Sequence, residues 1–134
     1  ISTDEGESWD IFWSFENSYP LKLFFDNQNT YFIVLRKFIL NKEEERVYKI
    51  LDNNLIEIKL DYGENIPRIH DIYFDKKNNI YISIYLLTIS LCANYIYKSE
   101  DQINSKCLWF YTGYSYIFNF RLIGNKLLIH FLNF

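Results

Sequence analysis

The sequence has little of what helical or disulfide-rich proteins are built from. Its 134 residues include one alanine, four glycines, two prolines, two cysteines and no methionine. Alanine is the best helix former, so its scarcity argues against a helical protein. Two cysteines are too few to hold a disulfide scaffold together. Because the chain has no methionine and opens on Ile1, we expect a processed product or part of a longer chain.

A surplus of positive charge is also missing. The 14 Lys and Arg residues are outnumbered by 17 Asp and Glu, which gives a formal charge of −3 and argues against a general nucleic-acid binder. The opening segment is acidic, unlike a signal peptide. Residues 80–97 carry no charge, but Ile80, Ile82 and Ile84 alternate with Tyr and Ser. That alternation indicates a strand, so we expect no membrane span in this segment.

What the chain has in abundance favours β-structure. Aromatic residues make up 20% of it, and there are 19 isoleucines. Such side chains pack well on a pleated surface, so we predict an all-β fold. Alternating runs separated by turn residues predict strands at about residues 9–15, 21–25, 30–40, 46–51, 55–60, 69–74, 80–91, 95–99, 107–111, 115–122 and 126–133. The charged run 42–46 is typical of a solvated hairpin tip, with one helical turn as the alternative.

Two series of similar segments recur along the chain. Residues 23–33 resemble residues 72–82 at an offset of 49, and a weaker copy follows at 122–129. A second series keeps the same offset, since residues 48–52 resemble residues 97–101. Four strands in each period of 47–49 residues are typical of a β-propeller blade.

We therefore predict a partial β-propeller of about two and a half four-stranded antiparallel blades of a larger propeller. A β-sandwich with spaced strands is the alternative fold, but it does not require two series with one period. The predicted boundaries are 1–19 for the end of a blade, 20–66 and 67–113 for two complete blades, and 114–134 for the start of a further blade.

The first nine residues contain a recognisable motif. Ser2, Asp4, Gly6 and Trp9 spell Ser-x-Asp-x-Gly-x-x-Trp. A short Asp side chain can accept hydrogen bonds from backbone N–H groups in a tight turn. Gly6 permits positive φ without steric cost, and Trp9 can cover the turn and pack between sheets. The pattern resembles the Asp-box, or BNR repeat, of sialidase-like propellers, whose loop joins the third and fourth strands of a blade.

Two later segments keep part of this motif. Ser99 and Asp101 retain the serine and the aspartate, and an aromatic follows late, at Trp109. The middle copy retains only Asp52. We interpret these residues as structural turn residues. The alternative is a cation site, but the acidic residues around Asp4 lack the ligand spacing of a calcium-binding loop.

Residues 2–15 also resemble the VPS10 (sortilin-type) sorting receptors, through Ser-Thr-Asp-Glu-Gly followed by an aromatic-rich strand. This resemblance implies a non-catalytic, protein-binding or sorting segment in the secretory or endosomal lumen or outside the cell. Its partners would be a protein or peptide ligand and the remaining blades of the same propeller. An interaction scaffold or assembly factor is the alternative, and a sialidase-type glycosidase, based on fold analogy, is a second alternative.

The sequence offers little for catalysis or for a cofactor. A sialidase binds a carboxylate with three arginines. This chain has four arginines, at positions 36, 46, 68 and 121, and surface or strand-end positions are the simpler interpretation. His70 and His130 are isolated, whereas a metal site needs three or four converging ligands. We therefore predict no catalytic residue, no metal and no cofactor in this segment.

The two cysteines are predicted to be unpaired. Cys92 ends one predicted strand, and Cys107 begins the outermost strand at the opposite end of the sheet. At about 3.3 Å per residue their separation approaches ~15 Å, which is beyond the reach of a disulfide. We expect two free thiols or a partner outside this segment.

Overall fold

The computed structural model describes residues 4–8, 14–39, 42–63, 66–87, 92–113, 115–123 and 126–133. The strands are β1 (Ser18–Phe25), β2 (Tyr31–Ile39), β3 (Lys42–Leu51), β4 (Asn54–Glu57), β5 (Pro67–Phe74), β6 (Ile80–Leu87), β7 (Cys92–Ser99), β8 (Lys106–Gly113), β9 (Ser115–Ile123) and β10 (Lys126–Asn133). These described residues include no helix, and hence none that is long and apolar enough to cross a membrane. The all-β prediction is confirmed.

The predicted strands correspond to the observed ones, but several bounds differ. β1, β5 and β7 begin two or three residues earlier than predicted, and β4 ends at Glu57 instead of residue 60. β3 begins at Lys42, inside the charged run that was expected to form a hairpin tip. The predicted strand 9–15 falls largely outside the described residues, and Phe15 itself is not in a strand. The predicted strand 80–91 is observed as far as Leu87, and residues 88–91 lie outside the described range.

The strands form two four-stranded antiparallel sheets and a hairpin. Sheet 1 has the order β1-β2-β3-β4, sheet 2 has the order β5-β6-β7-β8, and β9 pairs with β10. The two sheets have the same register in their first hairpins. Phe25 pairs with Tyr31 in sheet 1, and Phe74 pairs with Ile80 in sheet 2 at an offset of 49. The predicted repeat is therefore a repeat of structure.

Irregularities of the backbone recur with the same spacing. The register shifts at residues 20–22 of β1 and at residues 69–71 of β5, 49 residues later. A third shift lies at residues 117–119 of β9, 48 residues after the shift in β5. The turns repeat as well, because Asn29 and Asn78 both have a φ of 61°. The hairpin β9–β10 thus repeats a feature of the first hairpin of each sheet.

Each sheet has two apolar faces, because residues that pair across strands share a face. We call one of them the front face. It carries Leu23, Phe25, Tyr31, Ile33, Tyr48 and Ile50 in sheet 1 and Ile72, Phe74, Ile80, Ile82 and Tyr97 in sheet 2. The back face carries Phe24, Phe32, Val34 and Val47 in sheet 1 and Tyr73, Tyr81, Ile96 and Trp109 in sheet 2.

The back face of sheet 1 packs against the front face of sheet 2. Phe32 is fully buried there, and its ring centroid lies 4.8 Å from that of Phe74. The back face of sheet 2 packs in the same way on the hairpin, where Ile129 joins the cluster around Ile96. Accordingly β3 contacts β5, and its equivalent β7 contacts β9. One mode of stacking is used twice.

Candidate functional site

An aspartate organises the first turn of each sheet. Asp26 Oδ1 accepts hydrogen bonds from the backbone N–H groups two and four residues later, both at 2.8 Å. Asp75 Oδ1 does the same at 2.8 and 2.9 Å. The two turns also contact each other, because the Asn27 side chain donates to the Asp75 carbonyl at 2.7 Å. These bonds join the sheets at the end where the first turns lie.

Asp101 organises the loop between the third and fourth strands of sheet 2, where the motif predicts a structural turn. Its Oδ1 accepts the backbone N–H groups of Ile103 and Asn104 at 2.9 and 2.8 Å, and the Ser99 hydroxyl at 2.9 Å. Its Oδ2 accepts the Asn104 side-chain amide at 2.8 Å. This carboxylate therefore fixes the loop on both of its oxygens.

The other two motif aspartates differ from each other. Asp4 accepts the Ser8 backbone N–H at 3.0 Å and the Ser8 hydroxyl at 2.5 Å, and Gly6 between them has a φ of 95°. Asp52 has a φ of 48°. No described residue donates to its carboxylate, although the Asn54 side chain donates to its backbone carbonyl at 2.9 Å. Asp52 thus keeps the place of the motif without its hydrogen bonds.

The remaining motif residues are the serines and tryptophans, Ser2, Trp9, Ser99 and Trp109. Ser2 and Trp9 lie outside the described residues. Ser99 is buried at the end of β7. Trp109 lies in β8 on the back face of sheet 2, where it packs with the cluster of Tyr81 and Ile96. Ile129 of the hairpin joins the same cluster, so Trp109 lies between sheet 2 and the hairpin.

Gln102 connects these turns and was not predicted as a site residue. The residue is buried, and its Nε2 donates to Asp26 Oδ2 at 3.3 Å and to the Asn78 carbonyl at 2.9 Å. Its Oε1 accepts from Lys49 Nζ at 2.6 Å. Gln102 and Asn53 both have a φ of 59° and are 49 residues apart. The repeat spacing was the signal that could have identified the position, although not its contacts.

The hydrogen bonds to these carboxylates change their acidity. Burial alone would raise the pKa of Asp26, but the backbone N–H groups of Thr30 and Gln28 outweigh it and lower the pKa. The same balance lowers the pKa of Asp75. The Asn104 side chain, followed by the backbone N–H groups of Ile103 and Asn104, holds the pKa of Asp101 well below its ordinary value. All three aspartates therefore favour the ionised form in the folded protein.

We expect the folded state to lose stability in acid as these aspartates become protonated. A lowered folded-state pKa contributes stability above the unfolded-state value, about 3.9 for Asp, and the contribution is lost as the pH falls further. The urea midpoint, followed from about pH 5 to about pH 2, should therefore fall. Asp101→Asn should make this decrease shallower than Asp52→Asn does, because no described residue donates to the Asp52 carboxylate. Equal slopes for both variants would contradict the assigned roles.

Glu45 is the second centre of polar contacts, and it shows that the expected hairpin tip at 42–46 was wrong. Its residue is only 4% exposed. The carboxylate accepts the backbone N–H of Ile69 at 2.7 Å, Arg36 Nη2 at 2.7 Å and Arg68 Nη1 at 3.2 Å. The run is a strand because it pairs with β2, where Arg36 lies directly opposite Glu45. Glu45 thus joins the two sheets at the end away from the aspartate turns.

Cys107 is a free and exposed thiol. Its Sγ lies 3.3 Å from the Trp109 carbonyl. The placement of Cys92 at the end of a strand was wrong, because Cys92 begins β7. The register pairs Cys107 with Tyr97 and Cys92 with Gly113. The two cysteine backbones therefore lie at opposite ends of the β7–β8 pair.

The described surface has two open depressions near these contacts. One, of about 440 Å³, is lined by Lys98, Glu100, Asp101, Asn104, Ser105 and Lys106. The other, of about 380 Å³, lies between β3, β4 and residues 59–63. Within the described part of the chain, no three His, Cys, Asp or Glu side chains converge as metal ligands would. The geometry of these residues serves to order turns and to join sheets.

Comparison with known proteins gives no relative. No protein-family model, no curated protein and no solved structure matches the chain. Functional inference therefore depends on the residues and the geometry described above.

Proposed function

We propose that this chain is a non-catalytic segment of a β-propeller that binds a protein or peptide ligand, as part of a sortilin-like receptor in the secretory or endosomal pathway. The repeated stacking of equivalent sheets supports the propeller, because each sheet offers a back face to the next. The hydrogen bonds of Asp4 and Asp101 support Asp-box-like turns. The resemblance of residues 2–15 to the sorting receptors supplies the cellular role.

The observation that carries the binding function is the outer edge of sheet 2. β8 is an edge strand among the described residues, and it exposes Leu108, Phe110 and Tyr111, with Phe110 63% exposed. The Phe110 ring is stacked on Tyr95 with centroids 6.2 Å apart. Exposed aromatic residues are enriched in protein interfaces, and an exposed edge can accept an extended peptide as an added strand. We propose that β8 supplies such an edge.

The sialidase alternative has less support from the described residues. Such an enzyme would direct arginines at a ligand carboxylate. Here Arg36 and Arg68 both bind the carboxylate of Glu45, and Arg46 binds Glu44 and Glu57. These contacts give the three guanidinium groups a structural role. The scaffold alternative would use the same β8 edge and differs only in its partner.

A selected peptide tests the binding function. Peptides enriched from a display library on the immobilised chain would be measured against Phe110→Arg, with Phe25→Arg as a control of the same residue type on another sheet. We expect Phe110→Arg to weaken binding about tenfold or more, equivalent to about 1.4 kcal/mol, and Phe25→Arg to leave it unchanged. Failure to enrich any peptide, or equal binding by Phe110→Arg, would exclude this edge as the binding site.

A glycosylation reporter tests the compartment. The sequence contains no Asn-x-Ser/Thr acceptor of its own. A C-terminal tag that carries one acceptor would be glycosylated only in the secretory pathway. We expect the tagged protein in its own cells to lose mass on enzymatic removal of N-glycans. A tag that stays unmodified would contradict the proposed location.

A further inference from the structure

The depression of about 440 Å³ lies at the start of β8, the strand whose exposed edge is proposed to bind a peptide. Lys106 lines this depression and is the first residue of β8. Leu108 and Phe110, which are 45% and 63% exposed, follow on the same strand. A ligand that lies along β8 would therefore contact both the depression and the exposed apolar side chains.

Lys106 has no acidic partner among the described residues. The register places it directly opposite Lys98, and like charges in that position repel each other. Lys98 Nζ is paired with Glu100 Oε1 at 2.6 Å, whereas the exposed Lys106 forms no ion pair within the described part of the chain. The Lys106 ammonium group is therefore available to an anionic group of a ligand.

The two carboxylates that line the depression are already engaged. Asp101 accepts four hydrogen bonds from neighbouring residues, two of them from backbone N–H groups. Glu100 is bonded to Lys98, and this contact, followed by the charges of Lys106 and Lys77, lowers the pKa of Glu100. Three ammonium groups thus act on one exposed carboxylate, so the depression attracts further negative charge.

Lys106 and Phe110 lie on opposite faces of sheet 2. Lys106 pairs with Lys98, whose Nζ lies 5.9 Å from the Tyr81 ring centroid on the back face. Phe110 pairs with Tyr95 and is stacked on its ring on the front face. The partners Tyr95 and Lys98 are three residues apart, because β8 has a bulge between the two positions. An extended strand beside β8 would therefore span them with about three residues, or ~10 Å.

We infer that the β8 edge selects acidic peptides in an extended conformation. An Asp or Glu side chain of the peptide binds Lys106 at the depression, and an apolar side chain about three positions away packs on Phe110. Residues three positions apart on a strand point to opposite faces, as this arrangement requires. The positive charge and the apolar side chains on one strand favour a peptide over a small anion. The inference rests on the proposed function, since it names the ligand class for the same edge.

The peptides enriched on the immobilised chain test this inference. We expect them to carry Asp or Glu about three positions from a large apolar residue. A fluorescent copy of the tightest peptide, followed by anisotropy, should bind Lys106→Glu about tenfold more weakly and Lys106→Arg as it binds the wild type. Lys42→Glu makes the same change of charge at an exposed lysine of sheet 1 and should alter affinity less than about twofold. Circular dichroism would check that each variant keeps its strand content.

The inference and the proposed function can fail separately. Unchanged affinity for a peptide whose acidic residues are replaced by their amides would overturn the inference. If Phe110→Arg still weakened that peptide, the β8 edge would remain the binding site without a preference for acidic ligands. Equal weakening by Lys106→Glu and Lys42→Glu would also overturn the inference, because overall charge would then explain the attraction. A library that yields no binding peptide would contradict both.

Discussion

Glu45→Ala is expected to lower the free energy of unfolding by about 3 kcal/mol, toward the lower end of the cost of breaking a buried ion pair. The substitution removes the acceptor for Ile69 N–H and leaves Arg36 and Arg68 side by side without their shared carboxylate. The two arginine side chains are 29% and 23% exposed, so water can partly replace the carboxylate and limit the loss. Urea unfolding would measure the change.

Glu43 provides a matched control for Glu45. It lies two residues away on the same strand and is 3.6 Å from both Arg36 and Arg68, but its side chain is 36% exposed against 5% for Glu45. Glu43→Ala should therefore cost no more than about 1 kcal/mol. Hydrogen exchange gives a second measurement, because Ile69 N–H should lose protection only in Glu45→Ala. Equal losses of unfolding free energy in the two variants would mean that the burial of Glu45 adds no stability.

The strands and their repeat could be predicted because both depend on local patterns of residues. Period-two alternation, as in Ile80, Ile82 and Ile84, specifies a strand with two faces. The 49-residue offset predicted two equivalent four-stranded units, and the register repeats at that offset. The turn residues were predictable for the same reason, since Asp75 bonds the N–H groups two and four positions later. Such features depend only on residues that are close together in the sequence.

The sheet-to-sheet contacts were not predictable in this way. Gln102 and Glu45 both act on residues of another sheet, at separations of 76 and 24 positions. A charged run is usually solvated, so nothing in this pattern indicated that Glu45 is buried. Its burial follows from the cross-strand pairing with Arg36 and from the backbone N–H of Ile69, which donates to it beside the bulge of β5. Both facts require the packed structure.

Phe32→Ala is expected to lower the free energy of unfolding by about 3–5 kcal/mol, the usual cost of removing a buried phenylalanine. Phe32 is fully buried between the two sheets, and its ring contacts Phe74 on the facing sheet. The cavity cannot be filled by solvent without wetting both sheet faces. Urea unfolding should show a lower midpoint, and the loss should appear equally when the strands of either sheet are followed by hydrogen exchange.

Phe25→Ala tests whether the stability of the fold comes from the face-to-face stacking of its sheets or from aromatic side chains as such. Phe25 occupies in sheet 1 the repeat position that Phe74 occupies in sheet 2, and its ring also has an aromatic neighbour, Tyr31, at 5.0 Å. It is 53% exposed because no described sheet covers it. Removing the Phe25 ring should lower the free energy of unfolding by no more than about 1 kcal/mol, because little apolar surface is newly exposed. Similar costs at Phe25 and Phe32 would mean that face-to-face stacking of the sheets is not what stabilises the fold.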